Sequence, residues 1–114
     1  ARIYNQLLDK DRLNLPVEKD YAKHAYYLYV IRYKFRDKLR QVLKSEGIET
    51  LIHYPIPIHL QEAYKELGYK KGDFPITEEY ADEILSLPID STLEEDQIKT
   101  IADSINNFVH SNRL

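Results

Sequence analysis

Two hydrophobic rhythms run along this chain, one of helical and one of strand period. Ile3, Tyr4, Leu7 and Leu8 recur at helical spacing and predict a helix over about residues 3–11. Leu13 to Val17 follow as an extended connector, because Pro16 biases Leu15 away from helix. Residues 25–33, AYYLYVIRY, are almost all aromatic or β-branched and predict a strand covered on both faces. Phe35 to Glu46 then carry a helical stripe of Phe35, Leu39, Val42 and Leu43. Arg36, Asp37, Arg40 and Lys44 are read as facing water, and Gly47 stands where a left-handed cap belongs.

The second half is more broken. Ile48 to Tyr54 predict a second strand, so a strand–helix–strand unit is expected, with direct pairing of its strands left open. Pro55-Ile56-Pro57-Ile58 is a stiff extended loop. Leu60 to Leu67 read as a short helix closed by Gly68, and residues 69–75 as a polar loop. Thr77 is expected to cap a further helix that ends near Leu85. Ser86 to Ile89 are expected to be an edge segment, because Pro88 cannot donate to a ladder. Thr92 and Glu95 have capping-box spacing. They precede a helix with Leu93, Ile98, Ile101, Ile105 and Phe108 on one face, expected to loosen after Val109. The fold class is therefore α+β: one domain over residues 1–114, with helices packed on a small sheet of about three strands.

Composition narrows the function. With 16 Lys+Arg against 19 Asp+Glu, the net charge is −3, which argues against a nucleic-acid partner. The absence of Cys excludes a disulfide framework, a thiolate metal site and a cysteine nucleophile. No apolar run reaches membrane-spanning length and no signal-peptide pattern opens the chain, so a cytoplasmic location without a membrane partner is expected. The missing Met fits a piece of a longer protein, and equally an initiator Met removed before Ala1.

Candidate chemistry gathers in His53-Tyr54-Pro55-Ile56-Pro57-Ile58-His59. Titratable groups on a proline-stiffened loop at a strand end are a common way to build a site. From the residues alone two roles stay open. His53, Tyr54 and His59 form a binding loop, or they are half-buried strand-end and helix-start residues. Two His at this spacing do not share a helical face and have no third ligand, so no metal is expected. His24 reads as a surface or cap residue, and Lys70-Lys71 as solvated. The carboxylates Glu78, Glu79, Asp82 and Glu83 read as a wet helix face. No phosphate loop, dinucleotide fingerprint or nucleophile elbow is present, and no catalytic set is complete.

In order, the motifs His24-Ala25-Tyr26-Tyr27-Leu28-Tyr29-Val30, Arg36-Asp37, Gly47-Ile48, His53-Tyr54-Pro55-x-Pro57-x-His59, Gly72-Asp73-x-Pro75 and Leu85-Ser86-Leu87-Pro88-Ile89 resemble a known family. Together they are similar to the C-terminal domain of the DegT/StrS-type sugar aminotransferases, which have the aspartate-aminotransferase fold. The resemblance runs from the Ile3 helix to Phe108. It implies an enzyme that uses pyridoxal phosphate and an amino donor, typically glutamate, to aminate a keto group on a nucleotide-linked sugar for polysaccharide or other cell-surface sugars. It also implies a homodimer. The preceding cofactor-binding domain, with its Schiff-base lysine, is absent from these residues, so no lysine here takes that role. The chain alone is expected to be inactive and to bind no cofactor. What the resemblance carries over is a substrate-side role for His53 and Tyr54, and also for His59. A stand-alone binding domain that kept the fold without catalysis is the alternative. A domain separated from a larger enzyme should expose apolar area, expected on the Ile3–Leu8 helix and one face of the 25–33 strand.

Overall fold

The computed structural model describes residues 1–112. Helix α1 (Arg2–Leu7) leads through an irregular stretch to strand β1 (Tyr29–Arg32) and helix α2 (Arg36–Ser45). Two 3-10 turns, Ile58–Leu60 and Glu62–Leu67, precede helix α3 (Pro75–Glu83). Strand β2 (Ile84–Leu87) and helix α4 (Glu95–Ser111) complete the order.

The two strands pair antiparallel, with Tyr29 opposite Leu87 and Arg32 opposite Ile84. Single bridges extend the sheet on both sides: Asn14 to Arg32 beyond β1, and Leu51 to Ser86 beyond β2. The sheet is thus two strands and two isolated bridges, where about three strands were expected. Strand β1 is also shorter than the expected 25–33 strand, for a local reason. Tyr26 takes a positive φ of 49°, and its amide donates to His24 Nδ1 at 2.8 Å. Its ring stacks on His24 at a centroid distance of 4.0 Å. The backbone before Tyr29 is therefore turned out of the ladder, and Tyr27 is left exposed. His24 accordingly acts as a cap.

The 48–54 segment pairs only at Leu51, and it pairs with β2, not with β1. The strand–helix–strand stretch is therefore not a directly paired unit. The outer side of β2 is bridged by Leu51 at Ser86 alone, so the expected edge is covered at that one residue. Pro88 falls just outside β2 and costs the ladder nothing.

Alternation along β1 and β2 sends Tyr29, Ile31, Leu85 and Leu87 into the core. There they meet Leu39 and Leu43 of α2, Tyr4 of α1, and Ile101, Ala102, Ile105 and Val109 of α4. Val30, Arg32 and Ser86 belong to the other face. On that face Arg32 stacks over the Tyr80 ring of α3 at 3.5 Å and pairs with Glu83 at 2.8 Å.

Three helix ends differ from expectation. Phe74 caps α3 and Pro75 occupies its first turn, where a fixed φ and a missing N–H are tolerated, so Thr77 lies inside the helix. At α4 the capping box is Glu94 with Gln97, whose Oε1 accepts the Glu94 amide at 2.9 Å. Thr92 instead folds back on Asp90 Oδ1 at 2.6 Å through both its amide and its hydroxyl. Helix α4 continues through His110 to Ser111, so it does not loosen at Val109; Arg113 and Leu114 of the expected loose end lie outside the described residues. The expected short helix over 60–67 is 3-10 in form, closed by Gly68 at φ 75°. Gly47, at φ 79°, ends α2 as expected, and the Ile48 amide returns to the Leu43 carbonyl at 2.9 Å.

Arg36 was read as solvent-facing and is buried. Its Nη1 donates to the carbonyls of Ala81 at 3.1 Å and Ile84 at 2.7 Å, and its Nε to Asp37 at 2.7 Å. It satisfies orphan carbonyls where α3 gives way to β2. Arg36→Met should lower unfolding free energy by about 2–3 kcal/mol, since buried acceptors lose a charged donor. Arg40→Met, at an exposed position of the same helix, should stay within about 0.5 kcal/mol. Urea midpoints of the two variants check this pair.

Candidate functional site

The site begins at the Leu51 bridge. Leu51 donates to the Ser86 carbonyl at 3.2 Å and accepts the Ser86 amide at 2.8 Å. This doubly bonded pair fixes the height at which the chain leaves the sheet. Two residues on, His53 places Nδ1 2.8 Å from Ser86 Oγ. The next peptide, His53–Tyr54, is cis. Tyr54 meets the His53 ring edge-on at 5.4 Å and is 73% exposed. His53 is half-buried, and its imidazole is anchored through Nδ1.

His59 sits differently. It is buried in the first 3-10 turn, and its Nε2 lies 2.9 Å from Glu78 Oε1. A carboxylate only accepts, so Nε2 carries the proton. The ring also meets Phe74 edge-on at 4.8 Å. Glu78 gathers the loop as well, taking the Gly72 amide at 2.8 Å and the Phe74 amide at 3.4 Å. His53 and His59 are thus held by different elements, β2 and α3 respectively.

Two hollows flank this segment. One, of about 310 Å³, is lined by Ile58, His59, Tyr64, Leu67, Tyr69, Phe74 and Thr77. The other, of about 630 Å³, lies between Tyr54-Pro55-Ile56 and residues 60–63. The exposed apolar area is also here, in Ile56, Ile58, Leu67 and Ile76. Of the two surfaces expected to carry it, the α1 helix exposes Leu7 and the 25–33 stretch exposes Tyr27. Tyr4 and Leu8 pack into the core against α4, and Tyr29 and Ile31 are wholly buried.

Two residues escaped the sequence reading. From the sequence Ser86 reads as part of an edge segment, and Glu78 as one of four carboxylates on a wet helix face. The signal for Glu78 was its position four residues after Phe74, one turn into a helix that starts at Pro75. Glu83 also has a structural partner, Arg32. Among the described residues no group of three or more His, Asp or Glu could hold a metal ion. No helix there is long and apolar enough to cross a membrane.

The DegT/DnrJ/EryC1/StrS aminotransferase family matches residues 1–106. The chain belongs to that family. Its members depend on pyridoxal phosphate, and this chain corresponds to their C-terminal part. A pleiotropic regulatory protein of Geobacillus stearothermophilus is 40% identical over 111 residues, 95% of this chain and 30% of its own length. A dTDP-3-amino-3,6-dideoxy-alpha-D-galactopyranose transaminase of Aneurinibacillus thermoaerophilus is 33% identical over 95% of this chain and 29% of its own. The crystal structure of S. venezuelae DesV superposes with a TM-score of 0.88 at 33% identity, covering 99% of this chain and 30% of that one. The chain therefore spans under a third of the relatives it matches. The DesV likeness agrees with the α+β architecture of a small antiparallel sheet dressed by helices.

The Glu78 carboxyl is held below its ordinary 4.5, chiefly by the hydrogen bond from His59. Burial opposes this, and the Gly72 and Phe74 amides add to it. A carboxyl lowered by folding stabilises the fold above its ordinary value and loses that contribution as pH falls through the folded value. Glu78→Gln should therefore lower the melting temperature at pH 7. The difference from the native chain should shrink as pH drops below about 4.5. Thermal melts from pH 7 to 3 check the sign; a gap that stays constant across that range contradicts it.

Proposed function

We propose that this chain is the substrate-side, C-terminal domain of a pyridoxal-phosphate-dependent aminotransferase that aminates a keto group on a nucleotide-linked sugar. The amino donor is a molecule such as glutamate. The products belong to polysaccharide or other surface-sugar synthesis in the cytoplasm, and the parent enzyme works as a homodimer. Residues 1–114 form one domain, and the cofactor domain lies in the rest of the protein.

The single observation carrying this reading is His53: a half-buried imidazole anchored through Nδ1 to Ser86 of β2, beside an exposed Tyr54. This arrangement suits an orienting contact to a polar substrate, with the tyrosine offering a ring face and a hydroxyl. The names of relatives support the substrate class, since the Aneurinibacillus protein is a dTDP-amino-sugar transaminase. His59 acts behind this contact. Its bond to Glu78 holds the wall of the smaller hollow in place.

The residues present do not fit the cofactor. All ten lysines are exposed, and none lines either hollow beside Tyr54 or His59. No step of the reaction is assigned to a lysine of this chain. A second reading, a binding domain without catalysis, is favoured by one observation: the Geobacillus relative bears a regulatory name.

In the complete enzyme, His53→Ala should slow the sugar half-reaction about tenfold to a hundredfold, as expected for losing one or two orienting hydrogen bonds. The amino-donor half-reaction and cofactor binding should be unchanged. Single-turnover kinetics of both half-reactions make the comparison. Equal loss in both halves, or loss explained by unfolding, contradicts a substrate contact. No turnover of any sugar by the complete native protein favours the binding domain.

The 114-residue chain alone should neither transaminate nor retain pyridoxal phosphate after borohydride reduction. A cofactor fixed to one of its lysines would overturn the assignment.

A further inference from the structure

Ser86 stands out among the buried polar residues. It is 5% exposed, within β2, opposite Val30. Both its backbone groups are committed to Leu51. Among the described residues its hydroxyl has one hydrogen-bond partner, His53 Nδ1 at 2.8 Å. His53 Nε2 has no such partner among them, and the residue is half-buried.

We infer that Ser86 is the positioning residue for His53: its hydroxyl donates to Nδ1, locks the ring, and leaves Nε2–H as the donor offered to an oxygen acceptor on the substrate. The direction of the bond follows from satisfying both groups. A serine hydroxyl holds one proton, and a neutral imidazole has one donor and one acceptor nitrogen. If Nδ1 carried the proton, the Ser86 O–H would be a buried donor without an acceptor, which is the costlier arrangement. With Ser86 donating, the hydroxyl proton and Nδ1 are both satisfied and the Nε2–H tautomer is selected. The strand supplies the rigidity, since the Leu51–Ser86 bridge ties the backbone of both partners together two residues before the histidine.

This assignment rests on the reading of His53 as a substrate contact, and the test separates the two. In the 114-residue chain with 15N-labelled histidine, studied above neutral pH, His53 Nδ1 should resonate as a bare, pyridine-like nitrogen and Nε2 as a protonated, pyrrole-like one. Ser86→Ala should return the ring to the mixed tautomers of free imidazole, and Ser86→Thr, which keeps the hydroxyl, should preserve the native pattern. Dispersion in the same spectra reports folding. Should Ser86→Ala not fold, Ser86→Cys, a weaker donor of similar size, is read in its place and should give a partial mixture.

In the complete enzyme, Ser86→Ala should slow the sugar half-reaction about tenfold, the expected cost of an orienting hydrogen bond. It should leave the amino-donor half-reaction intact and add nothing in a His53→Ala background. Ring-nitrogen shifts that do not respond to Ser86→Ala overturn the positioning role. Shifts that respond while the sugar half-reaction keeps its native rate leave Ser86 as the anchor of His53 and overturn the substrate contact instead.

Discussion

Everything near the site hangs on β2 being paired on both sides. Ile84 to Leu87 pair with β1 along one edge, and Ser86 alone is bridged to Leu51 along the other. Both partners are distant in sequence, so the pairing joins the first third of the chain to its last. The core face of this strand is closed by Leu85 and Leu87, which are almost wholly buried. Its other face carries Ser86, and the half-buried His53 reaches that residue. One short strand therefore sets both the packing of the α1, α2 and α4 layer and the position of the histidine.

The polar groups of β2 and of the loop beside it need partners, and three side chains supply them. Arg36 collects the carbonyls where α3 turns into β2. Ser86 spends its hydroxyl on His53. Glu78 ties His59 to the amides of Gly72 and Phe74. No buried side-chain nitrogen or oxygen among the described residues lacks a partner. The fixed histidines stand beside apolar side chains left exposed at Ile56, Ile58 and Ile76. Orienting groups next to uncovered apolar surface are what a domain that meets both a substrate and further protein would need.

The helices were legible because their signal is local. The stripes of α2 and α4 and the Gly47 cap follow from periodicity and from one residue's conformational freedom. The sheet was legible only in outline. A run such as 25–33 has strand composition throughout, yet an amide captured by His24 removes its first residues from the ladder. Ser86 looked like an edge residue because Pro88 follows it. The partner that covers its outer side, Leu51, lies 35 residues upstream, and nothing in the local pattern announces the bridge. The burial of Arg36 and the partnership of Glu78 were hidden for the same reason: both answer to groups brought near by folding. His53, Tyr54 and His59 could be singled out as chemistry-bearing residues. Their separate anchors, on β2 and on α3, could not.

The Leu51–Ser86 bridge is thus the point where fold and site meet, and amide hydrogen exchange in the 114-residue chain tests it most directly. The amides of Leu51 and Ser86 should be protected to a degree comparable with those ordering β1 against β2, because the same strand holds them. Rapid exchange at Leu51, with β1 still protected, would mean that the His53 segment is not fixed to the sheet and would contradict the account.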